Sequence, residues 1–233
     1  MAEGAHKITA EFERALAEYT GAPFAVALDN CSNALFLALK YEGIEGKEIW
    51  IPARTYPSVP CEIIHAGGRV CFGPPCRYLG GDMDRKPEGI GPCPRNVETL
   101  RGAYPLHPTS VWDSALCFTA NMYLKGTLMC LSFTGPYKHL KLGKGGAILT
   151  DDPDACVWFK RARFSGRREC SYHADQLDML GWNFYMLPEI AARGLLLMGQ
   201  FYDRDGKPKS NPDLEFPYPD LSRFPIYSTG AKS

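Results

Sequence analysis

The feature that most constrains this chain is the regular alternation, over its first 72 residues, of short apolar runs with longer runs of helical spacing. Phe12, Ala15, Leu16 and Tyr19 recur at i, i+3, i+4 and i+7, which predicts an amphipathic helix that ends at Thr20-Gly21. A short apolar strand, Phe24 to Leu28, comes next. Asp29-Asn30-Cys31-Ser32 then offers capping side chains ahead of Ala34 to Leu39, a segment apolar on every side and so expected as a buried helix. Strand Glu48–Pro52, a helix near Ser58–Ala66 and strand Arg69–Phe72 continue the rhythm. Strands that alternate with helices need crossovers, and crossovers favour parallel pairing. The expected fold is therefore α/β, three layers αβα around a mostly parallel central sheet.

Residues 73–110 break the pattern with Pro, Gly and Cys, and read as a long irregular connection with at most one short helix. Order returns at Ser110–Ala115 and Thr127–Phe133, both expected as core strands, and at a hairpin arm, Gly146–Thr150. Helices follow at Pro153–Phe164 and Pro188–Phe201, the second opening on proline in its first turn. From Tyr202 to Ser233 the chain is rich in Pro, Asp and Tyr, which suits neither a long helix nor a regular sheet. The expected division is a large domain over 1–201 and an extended tail over 202–233, its aromatics at Phe216, Tyr218, Phe224 and Tyr227 docked across a large domain.

Charge and cysteine usage narrow the partners. Lys plus Arg number 26 and so do Asp plus Glu, leaving no net field to hold nucleic acid or an anionic membrane. The run Lys160-Arg161-Ala162-Arg163 with Arg167 and Arg168 reads as the solvated face of a helix. Nine cysteines lie singly, with no CxxC pair, and the charged N-terminus does not look like a secretory signal, so reduced thiols in a cytoplasm are expected. The five histidines lack metal-ligand spacing, and no apolar run reaches membrane-spanning length.

Chemistry concentrates at residues 130–146, CLSFTGPYKHLKLGKGG, where Lys138 lies between a Ser-Phe pair and a GxGG turn. A lysine partly shielded from water and held near a cation gives up its proton readily and can condense with a carbonyl, which makes pyridoxal phosphate the cofactor to test. The plainer alternative groups Lys138 with Lys141 and Lys144 as a solvated trio on a hairpin. The other parts such a cofactor needs occur in order. Cys31 and Ser32 open a helix whose N-terminus suits a phosphate. Tyr56, past a strand end, can stack on a ring, and Asp113, ending the VWD strand, can keep a ring nitrogen protonated. Ser132 offers a further hydroxyl.

In that order and wording the chain resembles the DegT/DnrJ/StrS sugar aminotransferases, pyridoxal-phosphate enzymes of fold-type I that act on nucleotide-linked keto-deoxysugars. The similar stretches are EFERALAEYTGAPFAVALDNCSNALFLAL, IPARTYPSVP with HAGGRV, VWDSA, LSF with KHLKLGKGGAILTDD, and GWNFYMLPEIAARG. The resemblance implies that Lys138 bonds the cofactor, Asp113 pairs with its ring nitrogen, Tyr56 stacks on it, and Ser32 and Ser132 hold its phosphate. It also implies that Asn183 reaches the phosphate of a partner subunit, hence a homodimer with shared sites, and an amino acid donor such as glutamate. Three departures stand out. The family's lysine falls five residues after the serine, which here is Tyr137; the place three after the aspartate is Leu116; and the C-terminal small domain is missing or reduced to Tyr202–Ser233. Two rivals stay open: a PMP-dependent sugar dehydrase, which carries histidine in place of the lysine, as His139 could provide, and a catalytically weak cofactor- or nucleotide-sugar-binding protein or subunit.

Overall fold

The computed structural model describes residues 3–73, 102–212, 214 and 216–227. The N-terminal half is built as the periodicity predicts: α1 (Glu3–Thr20), β1 (Phe24–Leu28), α2 (Cys31–Tyr41), β2 (Glu48–Pro52), α3 (Ser58–His65) and β3 (Arg69–Gly73). Then come β4 (Tyr104–Pro105), β5 (Val111–Asp113), β6 (Leu128–Ser132), β7 (Gly146–Thr150), α4 (Pro153–Ala162) and α5 (Pro188–Met198). Local chemistry sets the boundaries. Asn30 caps α2 by accepting from the Asn33 N–H at 2.8 Å, Asp152 caps α4 by accepting from the Asp154 N–H at 2.8 Å, and proline opens both α4 and α5.

Five strands form one sheet in the order β1-β7-β6-β5-β4, and β2 and β3 pair separately in parallel. Trp50 and His107 exchange backbone bonds of 2.8 and 3.2 Å and so join the two sheets. Side chains alternate across the main sheet. Val26, Leu28, Cys130 and Ile148 pack under α2, α3 and α4, while Ala25, Ala27, Met129, Leu131, Ala147 and Leu149 pack under α1 and α5. Helices thus cover both faces, and the expected α/β three-layer class holds.

The sheet itself is mixed, where a mostly parallel one was expected. β5 pairs with β6 in parallel, but β7 runs antiparallel to both β6 and β1, and β4 runs antiparallel to β5. The last pairing has a simple cause. Only residues 106–110 join β4 to β5, and a parallel partner needs a crossover of about a dozen residues. The segment closes instead as a hairpin, with Leu106 N–H on Val111 O at 2.8 Å and Thr109 N–H on Leu106 O at 2.9 Å. Strand β4 corrects the reading of 73–110 as wholly irregular; residues 74–101 of that connection lie outside the described residues.

The basic run on α4 is likewise not all solvated. Arg163 is buried and paired with Glu13 of α1, which is also buried. Arg163 Nη1 also donates to Ala27 O at 2.6 Å, and the Ala27 N–H donates to Glu13 Oε1 at 2.9 Å. Burial opposes the Arg163 charge, but Glu13 and then Glu169 hold its guanidinium more firmly protonated than usual. One ion pair therefore ties α1, β1 and α4 together, a role that the helical spacing of a single segment cannot reveal.

Candidate active site

The sheet brings its chemistry together at the ends of β5 and β6. Asp113 and Cys130 are register partners, and Cys31, the first residue of α2, reaches Cys130 O with its Sγ at 3.6 Å. Gly146 of β7 lies opposite Ser132 and Leu28. A Cβ at Gly146 would come within 2.5 Å of Asn30 C and 2.6 Å of Cys31 N, so only glycine lets β7 seat the first turn of α2. The α2 N-terminus is thereby fixed beside Ser132 and Asp113. Ser32 Oγ donates to Ser58 Oγ at 2.8 Å, which joins the N-terminal turns of α2 and α3. Ser58 is a hydroxyl the sequence reading passed over.

Asp113 is buried. Its Oδ1 accepts from the Ala115 N–H at 2.9 Å and its Oδ2 from the Tyr104 hydroxyl at 2.8 Å. Burial raises its pKa, and Ala115, Tyr104 and Lys138 pull it back down. Lys138 stands beside it, half-buried, its Nζ on Ala115 O at 2.6 Å. Desolvation lowers the Lys138 pKa, opposed by Asp113 and Cys31. Tyr137, the alternative in the lysine register, is 71% exposed and packs on Phe216. Lys141 is exposed, and Lys144 pairs with Asp29 at 3.8 Å. Of the candidate lysines, Lys138 is the one that faces Asp113.

Tyr56 is 55% exposed on the loop between β2 and α3. Residues 202–212 and 216–227 then contact the elements around this end of the sheet. Asn211 Nδ2 donates to Phe118 O at 2.6 Å and to the Tyr19 hydroxyl at 3.0 Å. His139 Nε2 meets Pro212 O at 2.8 Å. Arg54 donates to Tyr218 O at 3.2 Å, and the Leu221 N–H to Ala53 O at 2.8 Å. The Tyr218 ring packs edge-on against Tyr56, centroids 6.1 Å apart. Its phenol is pushed up to about 12 by burial first and then by Asp113, Tyr56 and Cys31. The Tyr218 ring thus lies against Tyr56, within reach of the Asp113 charge.

Asn183 stands apart from this cluster. It is exposed and bridges to Phe164, beside a depression of about 310 Å³ lined by Thr9, Arg163, Phe164, Glu169 and Tyr185. That depression shares no residue with the Lys138 cluster, and its arginine is taken up by Glu13 and Glu169. Among the described residues no group of His, Cys, Asp and Glu could hold a metal ion, and no helix is long and apolar enough to cross a membrane.

Sequence reasoning missed Tyr104 and Thr55. Thr55 is buried and contacts the Tyr104 hydroxyl. The signal for Tyr104 was weak but present: Pro108-Thr109-Ser110 is turn chemistry between two short apolar pairs.

Residues 4–73 match the DegT/DnrJ/EryC1/StrS aminotransferase family. The chain is 43% identical over 172 residues to the spore coat polysaccharide biosynthesis protein SpsC of Bacillus subtilis (strain 168), a match covering 62% of this chain and 42% of that protein. In fold it is similar to AtS13 from Actinomadura melliaura, with TM-score 0.66 and 22% identity over 82% of this chain and 59% of that one. The sugar aminotransferase CalS13 from Micromonospora echinospora gives TM-score 0.66 and 22% identity over 83% and 60%. PseC of Helicobacter pylori, an aminotransferase involved in the biosynthesis of pseudoaminic acid, gives 0.64 and 15% over 83% and 57%. The chain spans under half of SpsC and under two thirds of each of these solved chains.

Proposed function

We propose that this chain, related to the DegT/DnrJ/EryC1/StrS aminotransferases, binds pyridoxal 5′-phosphate and moves an amino group from an amino acid, glutamate first among candidates, to a nucleotide-linked keto-deoxysugar. The observation that supports the reading is that Lys138 and buried Asp113 meet at one residue beside the α2 N-terminus: Lys138 Nζ donates to Ala115 O, and the Ala115 N–H donates to Asp113. The donor set suits the group. Asp113 keeps lone pairs for a ring N–H after taking its two protein bonds, Tyr56 offers a ring face, and Ser32, Ser58 and Ser132 with the α2 N-terminus offer a phosphate cup.

When bound, the cofactor supplies an aldehyde that condenses with amines and a protonated ring that draws electrons from the substrate carbon. Asp113 holds the ring-nitrogen proton. Lys138 Nζ, whose desolvated amine releases its proton more readily than usual, takes the Cα proton of the donor and returns one to the acceptor. Asn183 is assigned to a partner's site in a homodimer. The seven described cysteines form no disulfide with one another, which suits the cytoplasm as the compartment.

A second reading, a cofactor-binding protein without turnover, draws support from Tyr218 lying over the Asp113 end of the sheet. His139 turns to Pro212 O, which gives the dehydrase alternative no support. One experiment separates the first two readings. Purified protein given pyridoxal phosphate should turn yellow and bleach on adding glutamate, and borohydride reduction should place the pyridoxyl group on Lys138. Colour without bleaching would select the second reading; label on Lys141 or Lys144 would overturn the assignment of Lys138.

A further inference from the structure

We propose that Tyr104 is the positioning residue of Asp113, its phenol fixing one carboxylate oxygen and tying it, through Thr55, to the loop that carries Tyr56. The inference rests on the reading of Asp113 as the ring-nitrogen partner. A phenol has one proton, and Tyr104 gives it to Asp113 Oδ2 at 2.8 Å. In its contact with Thr55 Oγ1, Tyr104 is therefore the acceptor and the threonine the donor. The chain of protons runs Thr55 to Tyr104 to Asp113. With the Ala115 N–H on Oδ1, both oxygens are held and the carboxylate plane is set.

The fold supports each link. The hairpin places Tyr104 directly opposite Asp113 in register. Burial, and then the Asp113 charge, raise the Tyr104 pKa, so the phenol remains a donor. Thr55 is 1% exposed and adjoins Tyr56 in the chain, so Asp113 and Tyr56 are joined by one bonded path. Around Asp113 stand Tyr104 from β4, Cys31 from α2, Cys130 from β6, Lys138 from the loop after β6, and Tyr218 from the tail. Of these Lys138 is the cation, and it donates to Ala115 O. Tyr104 is thus the side chain that bonds directly to the carboxylate.

The test substitutes Tyr104→Phe, which keeps the ring and removes the hydroxyl, and Thr55→Val. In cofactor-free protein labelled with ¹³C at the aspartate carboxyl, the Asp113 titration midpoint should rise by about one unit in Tyr104→Phe, a tenfold gain in proton affinity. Thr55→Val should shift it less, in the same direction. With pyridoxal phosphate added, the absorbance band of the protonated ring should weaken in the same order. An unmoved midpoint in a folded Tyr104→Phe protein overturns the proposal, as does a moved midpoint with unchanged ring absorbance. If Tyr104→Phe does not fold, an unmoved midpoint in Thr55→Val overturns it. Asp113→Asn serves as the control: ring absorbance unchanged by Asp113→Asn would sink the reading of Asp113, whereas a loss there without a Tyr104 effect sinks the present inference alone.

Discussion

Burial raises the Asp113 carboxyl above its ordinary value of 3.8, against the lowering pull of the Ala115 N–H, the Tyr104 phenol and Lys138. An acid whose folded pKa exceeds its unfolded one keeps its proton longer in the folded state. Its contribution is therefore most favourable below the unfolded value and declines as pH climbs from there through the folded value. Ionising Asp113 as pH rises therefore costs the cofactor-free fold stability. Asp113→Asn should accordingly raise Tm at pH 7 by a few degrees, with the gain vanishing in acid, while cutting transamination on the order of 10²–10³-fold through loss of a preorganised charge. Calorimetry across pH checks the first half and steady-state kinetics the second; a lower Tm at pH 7 would mean that the two bonds to the carboxylate outweigh its burial. Lys138 has the opposite leaning: desolvation favours the neutral amine, which is the form that can attack a carbonyl or take a proton.

Elements fixed by neighbours in sequence were legible, and those fixed by distant partners were not. Strand β2 falls on the expected residues, and α2 carries the expected Asn30 cap, because spacing and capping act within a few residues. The β4–β5 hairpin escaped because two residues carry no periodicity, and its existence depends on what joins them. The site divided the same way. Lys138, Asp113, Tyr56 and Ser32 stand at element ends that the pattern marks, whereas the Tyr104 and Thr55 bonds cross |i−j| separations of 9 and 49 that no local pattern encodes. Gly146 joins the two kinds, a turn glycine in sequence and a backbone contact in space. Gly146→Ala should destabilise the fold by about 2–3 kcal/mol through overpacking on Asn30 and Cys31, a fall in Tm of roughly 5–10 °C. Calorimetry gives the size, and amide exchange should show the first turn of α2 opening first; an unchanged exchange pattern there would refute the link between β7 and the α2 N-terminus.

For the molecule as a whole, the described C-terminal residues bond back to the rest of the chain on either side of residue 213, through Asn211 near Tyr19 and through Leu221 on Ala53. Anchoring includes the polar part, since Tyr19 OH also donates to Lys209 O at 2.8 Å. Ending the chain at Ser210 should lower Tm and speed acylation of Lys138, read by mass spectrometry, several-fold over the exposed lysines; equal rates would show that the tail does not screen the site. A roof made of the same chain has a further effect, on equilibrium. Tyr218 is tethered at an effective concentration on the order of millimolar whatever the protein's own concentration, and under the proposed function the cofactor would compete with it at Tyr56. The apparent dissociation constant is the intrinsic one divided by the fraction of molecules whose tail is lifted. Tyr218→Ala, which leaves the anchors in place, shifts that fraction, so the gain in cofactor affinity it produces measures directly how much of the time the intact tail is down.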